Sequence, residues 1–415
     1  MILKAPLSFK SASIDLPASK SISNRVLIIN ALAGNPDLPR NLSDCDDTNA
    51  VLKWMENRPY VIDVGAAGTA MRFSTALLAM TEGTHVITGS ERMKQRPISI
   101  LVDALRSMGA EIKYLENEGF PPMQITGNTD MKGGTIELDG SVSSQFITAL
   151  LIIAPYMQQG LRLILKNKVI SRPYINMTLQ IMRDFGADAQ WTSESEIAVK
   201  PGTYLNRDCW IENDWSAASY WYEILALADS LDTITLKGLM KDSLQGDAKV
   251  AQLFEHLGIN TRFETQDNVP VAVLTKTKNV SKTFECDFGG QPDIAQTFVV
   301  TCCMMNIPFK FKGLSTLKIK ETDRIAALIR EMDKLGYSLN EVDGETLSWD
   351  GKRNLKTSEQ LQLVAIDTYK DHRMAMAFAP AAIKTKSLII NDPKVVTKSY
   401  PNFWNDLRKV GFNIE

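Results

Sequence analysis

Lys20, Ser21 and Arg25 sit at the start of SKSISNRVLIINALA, where the apolar spacing after Ile22 predicts a helix. A helix N-terminus carries about half a positive charge, so cations in its first turns are out of place unless an anion lies in front of them. Ser19 or Ser21 can cap this helix. A cap does not account for Lys20 and Arg25. The same contrast of a polar start and an apolar body recurs. Gly65, Gly68, Thr69 and Arg72 open GAAGTAMRFSTALLAM, and Ser143, Ser144 and Gln145 open SVSSQFITALLIIA. Asp293 follows Pro292 before IAQTFVVTCCMM, and His372 and Arg373 begin HRMAMAFAPAAI. Small residues let a ligand approach backbone N–H groups, and serine hydroxyls add donors at the same place. Any one of these serines or aspartates is ordinarily a cap. Arg25, Arg72 and Arg373 are not explained that way, because an unpaired buried cation costs several kcal/mol. Charge-assisted hydrogen bonds of roughly 1.5–3 kcal/mol each to an anionic ligand would offset that cost. Arg72 has an alternative partner in Asp46 or Asp47.

Two further stretches add cations. RMKQRPI carries Arg92, Lys94 and Arg96 on a loop before a helix expected from Pro97. KETDRIAALIREM spaces Lys320 and Arg324 four apart, which predicts one helical face. Taken alone, a solvated loop and an exposed Glu321–Arg324 pair explain these two stretches equally well.

The elements that must position these groups follow a repeat. Five amphipathic helices end at Gly109, Gly186, Gly258, Gly336 and Gly411, each followed by a short strand, at intervals of 72 to 78 residues. Glycine suits the left-handed cap after a helix. A motif recurring at such a period is a structural repeat, too long for a solenoid unit and suited to a small subdomain with two helices and several strands. A shortened sixth copy is expected around DDTNAVLKWMEN. The helices that begin at the polar starts are apolar on nearly all sides, so each is expected in a core.

Whole-chain properties narrow the function classes. At 415 residues, two domains are expected. A net charge of −2 gives no reason to expect a nucleic-acid or membrane-surface partner. The longest apolar stretch, FITALLIIAPYM, is too short for a membrane span, and the N-terminus lacks a signal-peptide core. Five scattered cysteines argue for a reducing compartment, so the cytoplasm is expected; a monomer is expected separately. The three histidines, His85, His256 and His372, have no zinc-ligand spacing, and no metal site is expected. Nucleophile-elbow, P-loop and dinucleotide-binding signatures are all missing.

LPASKSISNR, GAAGTAMR, RMKQRPI, GSVSSQF, SRPYIN, PDIAQT, KETDR, DHRMAM and KSYPNFW run from residue 16 to residue 404. In this order they resemble the 5-enolpyruvylshikimate-3-phosphate synthase family of enolpyruvyl transferases. The resemblance implies an α/β fold, a two-domain inside-out α/β barrel in which each domain has three βαβαββ subdomains around buried helices. It places one domain at 18–214 and a discontinuous one at 1–17 plus 215–415, with the active site in the cleft between them, closing on substrate. The implied reaction moves the enolpyruvyl group of phosphoenolpyruvate to the 5-hydroxyl of shikimate 3-phosphate by addition and elimination, without a cofactor. Residue by residue, Lys20, Ser21, Arg25, Ser143, Ser144, Gln145, Ser171, Asp293, Thr316 and Lys320 would hold shikimate 3-phosphate. Lys20, Gly68, Arg96, Gln145, Arg324, Arg373 and Lys398 would hold phosphoenolpyruvate. Asp293 would take the hydroxyl proton, and Glu321 would protonate the methylene carbon, with Lys20 also catalytic. Ala18, Ala66, Phe73 and Thr316 depart from the usual family pattern, yet Gly68 leaves room for glyphosate, the family's inhibitor. The sister enzymes acting on UDP-N-acetylglucosamine share the architecture but lack SSQF and KETDR and carry a loop cysteine absent from TGSERMKQRPI. A catalytically silent relative would be expected to lose Lys20, Asp293, Glu321 or Lys398.

Overall fold

Each of the five glycines that end amphipathic helices takes a positive φ, between 80° and 111°. Arg58 does the same at the sixth helix end, with φ 41°, so the shortened copy keeps the turn without the glycine. The computed structural model describes residues 1–10, 12–354 and 363–415. The chain divides into two units, Met1–Pro17 with Glu212–Glu415, and Ala18–Ile211.

Strands β1 (Ile2–Lys4) and β2 (Ser13–Asp15) precede the passage into the continuous unit. That unit opens with α1 (Lys20–Leu32) and α2 (Asp46–Asn57). A complete βαβαββ copy follows: β3 (Val61–Asp63), α3 (Gly68–Ala79), β4 (Thr84–Thr88), α4 (Ser99–Ser107), β5 (Glu111–Tyr114) and β6 (Met123–Thr126). Its sheet order is β3-β4-β6-β5, with only the first pair parallel. The next copy repeats it with β7 (Gly134–Asp139), α5 (Ser144–Ile153), β8 (Leu161–Lys166), α6 (Arg172–Asp184), β9 (Ala189–Ser193) and β10 (Glu196–Val199).

In the discontinuous unit β2 is completed by α7 (Trp215–Leu227), β11 (Thr233–Lys237), α8 (Val250–Glu255), β12 (Leu257–Gln266) and β13 (Val269–Val280). The parallel β2–β11 pair joins segments on either side of the other unit in sequence. A second copy holds β14 (Phe284–Asp287), α9 (Ala295–Met304), β15 (Phe309–Lys312), α10 (Arg324–Lys334), β16 (Asn340–Val342) and β17 (Thr346–Trp349). The last runs through β18 (Ala365–Ile366), α11 (His372–Phe378), the short α12 (Ala382–Thr385), β19 (Ser387–Ile390), α13 (Phe403–Lys409) and β20 (Asn413–Ile414). The N-terminal β1 inserts between β19 and β20 to close that sheet.

Five copies are therefore complete among the described residues, and the first is shortened, as expected around DDTNAVLKWMEN. Its α1 and α2 come with a single parallel bridge, Arg40 to Trp210, in place of a sheet. The connecting segment NPDLPRNLSDC contains Pro36 and Pro39, which have no N–H to donate to a ladder. Helices α1, α3 and α5 form the core of one unit, and α7, α9 and α11 that of the other. The sheets lie outside them: in β8, Leu161, Leu163 and Leu165 face inward while Arg162 and Lys166 face solvent. Candidate site residues lie at or near the starts of these helices.

Candidate functional site

In the unit Ala18–Ile211, Ser19 caps α1 by accepting from the Ile22 N–H at 3.4 Å. Lys20 pairs with Asp47, one of the two aspartates offered as an alternative partner for Arg72, at 3.3 Å. Arg72 instead donates to the Pro97 carbonyl at 3.0 Å and lies over the Phe146 ring. It thereby holds the RMKQRPI loop. Arg25 is 4% exposed. Its nitrogens donate to Thr178 Oγ1 at 2.8 Å, the Ser21 carbonyl at 2.7 Å, Thr148 Oγ1 at 3.3 Å and the Tyr174 carbonyl at 3.4 Å. All four are neutral acceptors. Burial lowers the Arg25 pKa to about 10, and only the Tyr174 phenol counters it electrostatically. Thr148 and Thr178 hydrogen-bond at 3.0 Å, joining α5 to α6 beneath their serine-bearing starts.

Ser143 caps α5 by accepting from the Gln145 N–H at 3.4 Å, and the Gln145 amide donates to Thr69 Oγ1 at 3.2 Å. Ser171 precedes α6 in the left-handed region, φ 53°, ψ 32°, and makes no capping bond. Such a conformation costs a non-glycine residue about 1–2 kcal/mol. The Arg96 guanidinium lies directly on Gly68 at the start of α3: a Cβ there would stand 2.7 Å from Arg96 Nη1. Arg96 follows a 3-10 turn, Met93–Gln95, and α4 begins at Ser99, two residues later than expected from Pro97. Proline biases the residue before it to extended backbone, and Arg96 has φ −92°, ψ 122°.

The discontinuous unit brings a second set together. Arg324, 1% exposed, meets three carboxylates: Asp371 Oδ2 at 2.7 Å, Asp293 Oδ1 at 3.0 Å and Glu321 Oε2 at 2.9 Å. Asp293 also accepts from Arg373 at 3.0 Å and lies 3.4 Å from Lys320 Nζ. Lys398 Nζ reaches Glu321 Oε1 at 2.6 Å. Burial would raise the Asp293 pKa, but Arg373, Lys320 and Arg324 outweigh it and hold the carboxyl well below its ordinary value. The two candidate proton-transfer groups, Asp293 and Glu321, thus share one guanidinium.

Two expectations for KETDR are corrected here. Lys320 has extended backbone, φ −80°, ψ −154°, and α10 starts only at Arg324, so these two residues do not share a helical face. Asp323 ends the non-helical segment, its carboxylate accepting from the Ala326 N–H at 3.0 Å as the cap. The Glu321–Arg324 pair exists, with Arg324 buried and Glu321 partly so. Thr316 stands in the 3-10 turn Ser315–Ile319, with its hydroxyl oxygen buried and without a hydrogen-bond partner.

Sequence reasoning missed Asp371, Asp247 and Ser216, and named Asp47 only as a partner for Arg72. Asp371 caps α11, accepting from the Arg373 N–H at 2.9 Å, and also chelates Arg324. The first role is legible in the Asp before a helix; the second needs two segments 47 residues apart in sequence to meet.

The chain matches the family model for EPSP synthase (3-phosphoshikimate 1-carboxyvinyltransferase) over residues 52–407. It is 54% identical over 414 residues to the 3-phosphoshikimate 1-carboxyvinyltransferase of Bacteroides fragilis, covering 100% of this chain and 98% of that protein. The Vibrio campbellii protein of the same name is 34% identical over 436 residues, with 97% of each chain covered. The solved EPSP synthase of Acinetobacter baumannii shares the fold, with a TM-score of 0.77, 19% identity, and coverage of 100% of this chain and 99% of that one.

Proposed function

The chain belongs to the EPSP synthase (3-phosphoshikimate 1-carboxyvinyltransferase) family of transferases, and from that premise we propose how its own residues carry out enolpyruvyl transfer. Phosphoenolpyruvate gives its enolpyruvyl group to the 5-hydroxyl of shikimate 3-phosphate, and phosphate leaves. In the unit Ala18–Ile211, Lys20, Ser21, Arg25, Ser143, Ser144, Gln145 and Ser171 hold shikimate 3-phosphate, joined by Thr316 and Lys320 from the other unit. Lys20, Gly68, Arg96, Gln145, Arg324, Arg373 and Lys398 hold the phosphate and carboxylate of phosphoenolpyruvate.

In the addition step, Asp293 takes the proton of the 5-hydroxyl as its oxygen bonds to C2 of phosphoenolpyruvate. Glu321, in its protonated form, gives a proton to C3, and a tetrahedral intermediate results. Elimination returns a C3 proton to Glu321 as the C2=C3 bond re-forms and the C–O bond to phosphate breaks, and Asp293 passes its proton to the departing phosphate oxygen, so both carboxyls regain their starting forms. The lysines and arginines stabilise the anionic oxygens throughout, in a setting where fixed charges act more strongly than in water.

The observation that carries this reading is Arg25: a buried guanidinium beneath a helix N-terminus with four neutral acceptors around it. Such a cation is accounted for by a dianionic ligand group. The unpartnered Thr316 hydroxyl supports the reading independently. No helix among the described residues is long and apolar enough to cross a membrane; we place the chain in the cytoplasm as a monomer, a state that light scattering after size exclusion tests. Activity is tested by phosphate release from phosphoenolpyruvate with shikimate 3-phosphate or UDP-N-acetylglucosamine as acceptor. Release with the first alone is expected, and release with neither refutes the reading.

A further inference from the structure

Anchors of different kinds hold Arg373, among them a carboxylate and a hydroxyl. One of its terminal nitrogens donates to Asp293 Oδ2 at 3.0 Å and also lies 3.4 Å from Ser216 Oγ. Ser216 in turn donates its hydroxyl proton to Asp247 Oδ2. A hydroxyl that has given its proton to a carboxylate presents only lone pairs on its other side, which fits it to accept from a guanidinium. Asp247 is 4% exposed, in the 3-10 turn Gly246–Lys249. Ser216 lies in the first turn of α7, whose entry is fixed by Asp214 accepting from the Ala217 N–H at 2.9 Å. The turn carrying Asp247 is fixed by Gln245, which donates to the Asn213 carbonyl at 2.8 Å and to Glu212 at 2.9 Å. The relay is therefore built on two immobilised segments.

The reaction makes the difference between the anchors matter. When Asp293 accepts the substrate proton it becomes neutral, and its hold on Arg373 weakens when that arginine must stay against the reacting phosphoenolpyruvate. The Asp247–Ser216 pair takes no part in the proton transfer. We propose that Asp247 is a positioning residue for enolpyruvyl transfer: through Ser216 it holds Arg373 in register with phosphoenolpyruvate while Asp293 changes charge. This rests on the assignment of Arg373 to phosphoenolpyruvate made above. The anionic groups facing Asp247 are Asp293 and Asp214, and Arg373 is the cation beside it.

The test uses Asp247→Ala, Ser216→Ala, the double variant, Asp247→Asn and, as control, Arg373→Ala, all in the full chain. Displacing a substrate-holding side chain by about 1 Å costs up to about 100-fold. We expect Asp247→Ala to raise the phosphoenolpyruvate KM and lower kcat by about 10-fold each. The Kd for shikimate 3-phosphate alone should stay within about twofold. Asp247→Asn, which can still accept from Ser216, should recover most of the loss. The double variant should be no worse than the poorer single, because both act through one contact. Additive losses, failure of the Asn variant to recover function, or parallel loss of shikimate 3-phosphate binding and Tm would overturn the inference. If Arg373→Ala leaves the phosphoenolpyruvate KM unchanged, the underlying assignment is wrong. If that control raises KM while the Asp247 and Ser216 variants do not, the assignment stands and the relay is refuted.

Discussion

Arg25 should be more valuable to the ligand than to the fold, and replacing it by methionine separates the two. The drop in its pKa from the ordinary arginine value to about 10 corresponds to about 3 kcal/mol of cost for keeping the buried group charged. For a base whose folded value is depressed, that cost is fully present below the folded value and is relieved only as pH rises from about 10 toward the ordinary arginine value. At neutral pH it therefore acts in full. Removing the guanidinium leaves its acceptors satisfied: the Thr148 and Thr178 hydroxyls bond each other at 3.0 Å, and Thr178 still donates to the Tyr174 carbonyl at 2.8 Å. The Ser21 carbonyl keeps the backbone N–H four residues on. Methionine fills much of the vacated volume with a flexible apolar chain. Buried charges replaced by well-packed apolar groups often yield about 1–4 kcal/mol, and each kcal/mol is worth about 2–4 °C in a unit of this size. Differential scanning calorimetry without ligand should thus show Arg25→Met melting several degrees higher. Titration calorimetry should show shikimate 3-phosphate binding weakened by about 10- to 150-fold, the value of one charge-assisted hydrogen bond of roughly 1.5–3 kcal/mol. A lower Tm refutes the cost argument. Unaltered affinity refutes the ligand role.

Gly68→Ala should leave Tm within about 1 °C, since the Cβ meets only the movable tip of Arg96, but raise the phosphoenolpyruvate KM by about tenfold in steady-state assays. The native protein should be inhibited by glyphosate and this variant less so; full activity of the native protein at saturating glyphosate contradicts the open-pocket reading. Ser171→Gly should not lower Tm, because glycine adopts φ 53° without strain, yet it should raise the shikimate 3-phosphate KM by about tenfold through loss of the hydroxyl. Burial, then the nearby Asp293, raises the Asp247 pKa from 3.8 to about 6, a cost of about 3 kcal/mol. For an acid raised in the folded state the cost is present above about 6 and disappears as pH falls toward 3.8, so Asp247→Asn should be more stable than the native protein at pH 7.5. Urea unfolding should show that gap closing toward pH 4, and a gap independent of pH is the contrary result.

Local chemistry made much of this protein legible from its residues. The recurring helix-ending glycines gave away the repeat because a left-handed cap is a single-residue requirement. Ser19, Ser143 and the apolar helices behind them follow from capping and periodicity alone. That the first copy is shortened was legible around DDTNAVLKWMEN; that what it loses is its sheet was not, although Pro36 and Pro39 are the local cause, because its helices are as well formed as the rest. KETDR misled on register: spacing suggested a helical face through Lys320, but Asp323 caps the helix three residues later.

What sequence determined, then, is the set of charged and hydroxylated groups, the helices that carry them and the order in which they occur, since these depend on interactions a few residues apart. Which charge meets which was decided only by the tertiary structure. Lys20 finds Asp47, Arg324 gathers Asp293, Glu321 and Asp371, and Arg25 finds only neutral acceptors. Coulomb attraction and desolvation depend on distance and burial, which packing sets and a linear sequence does not contain.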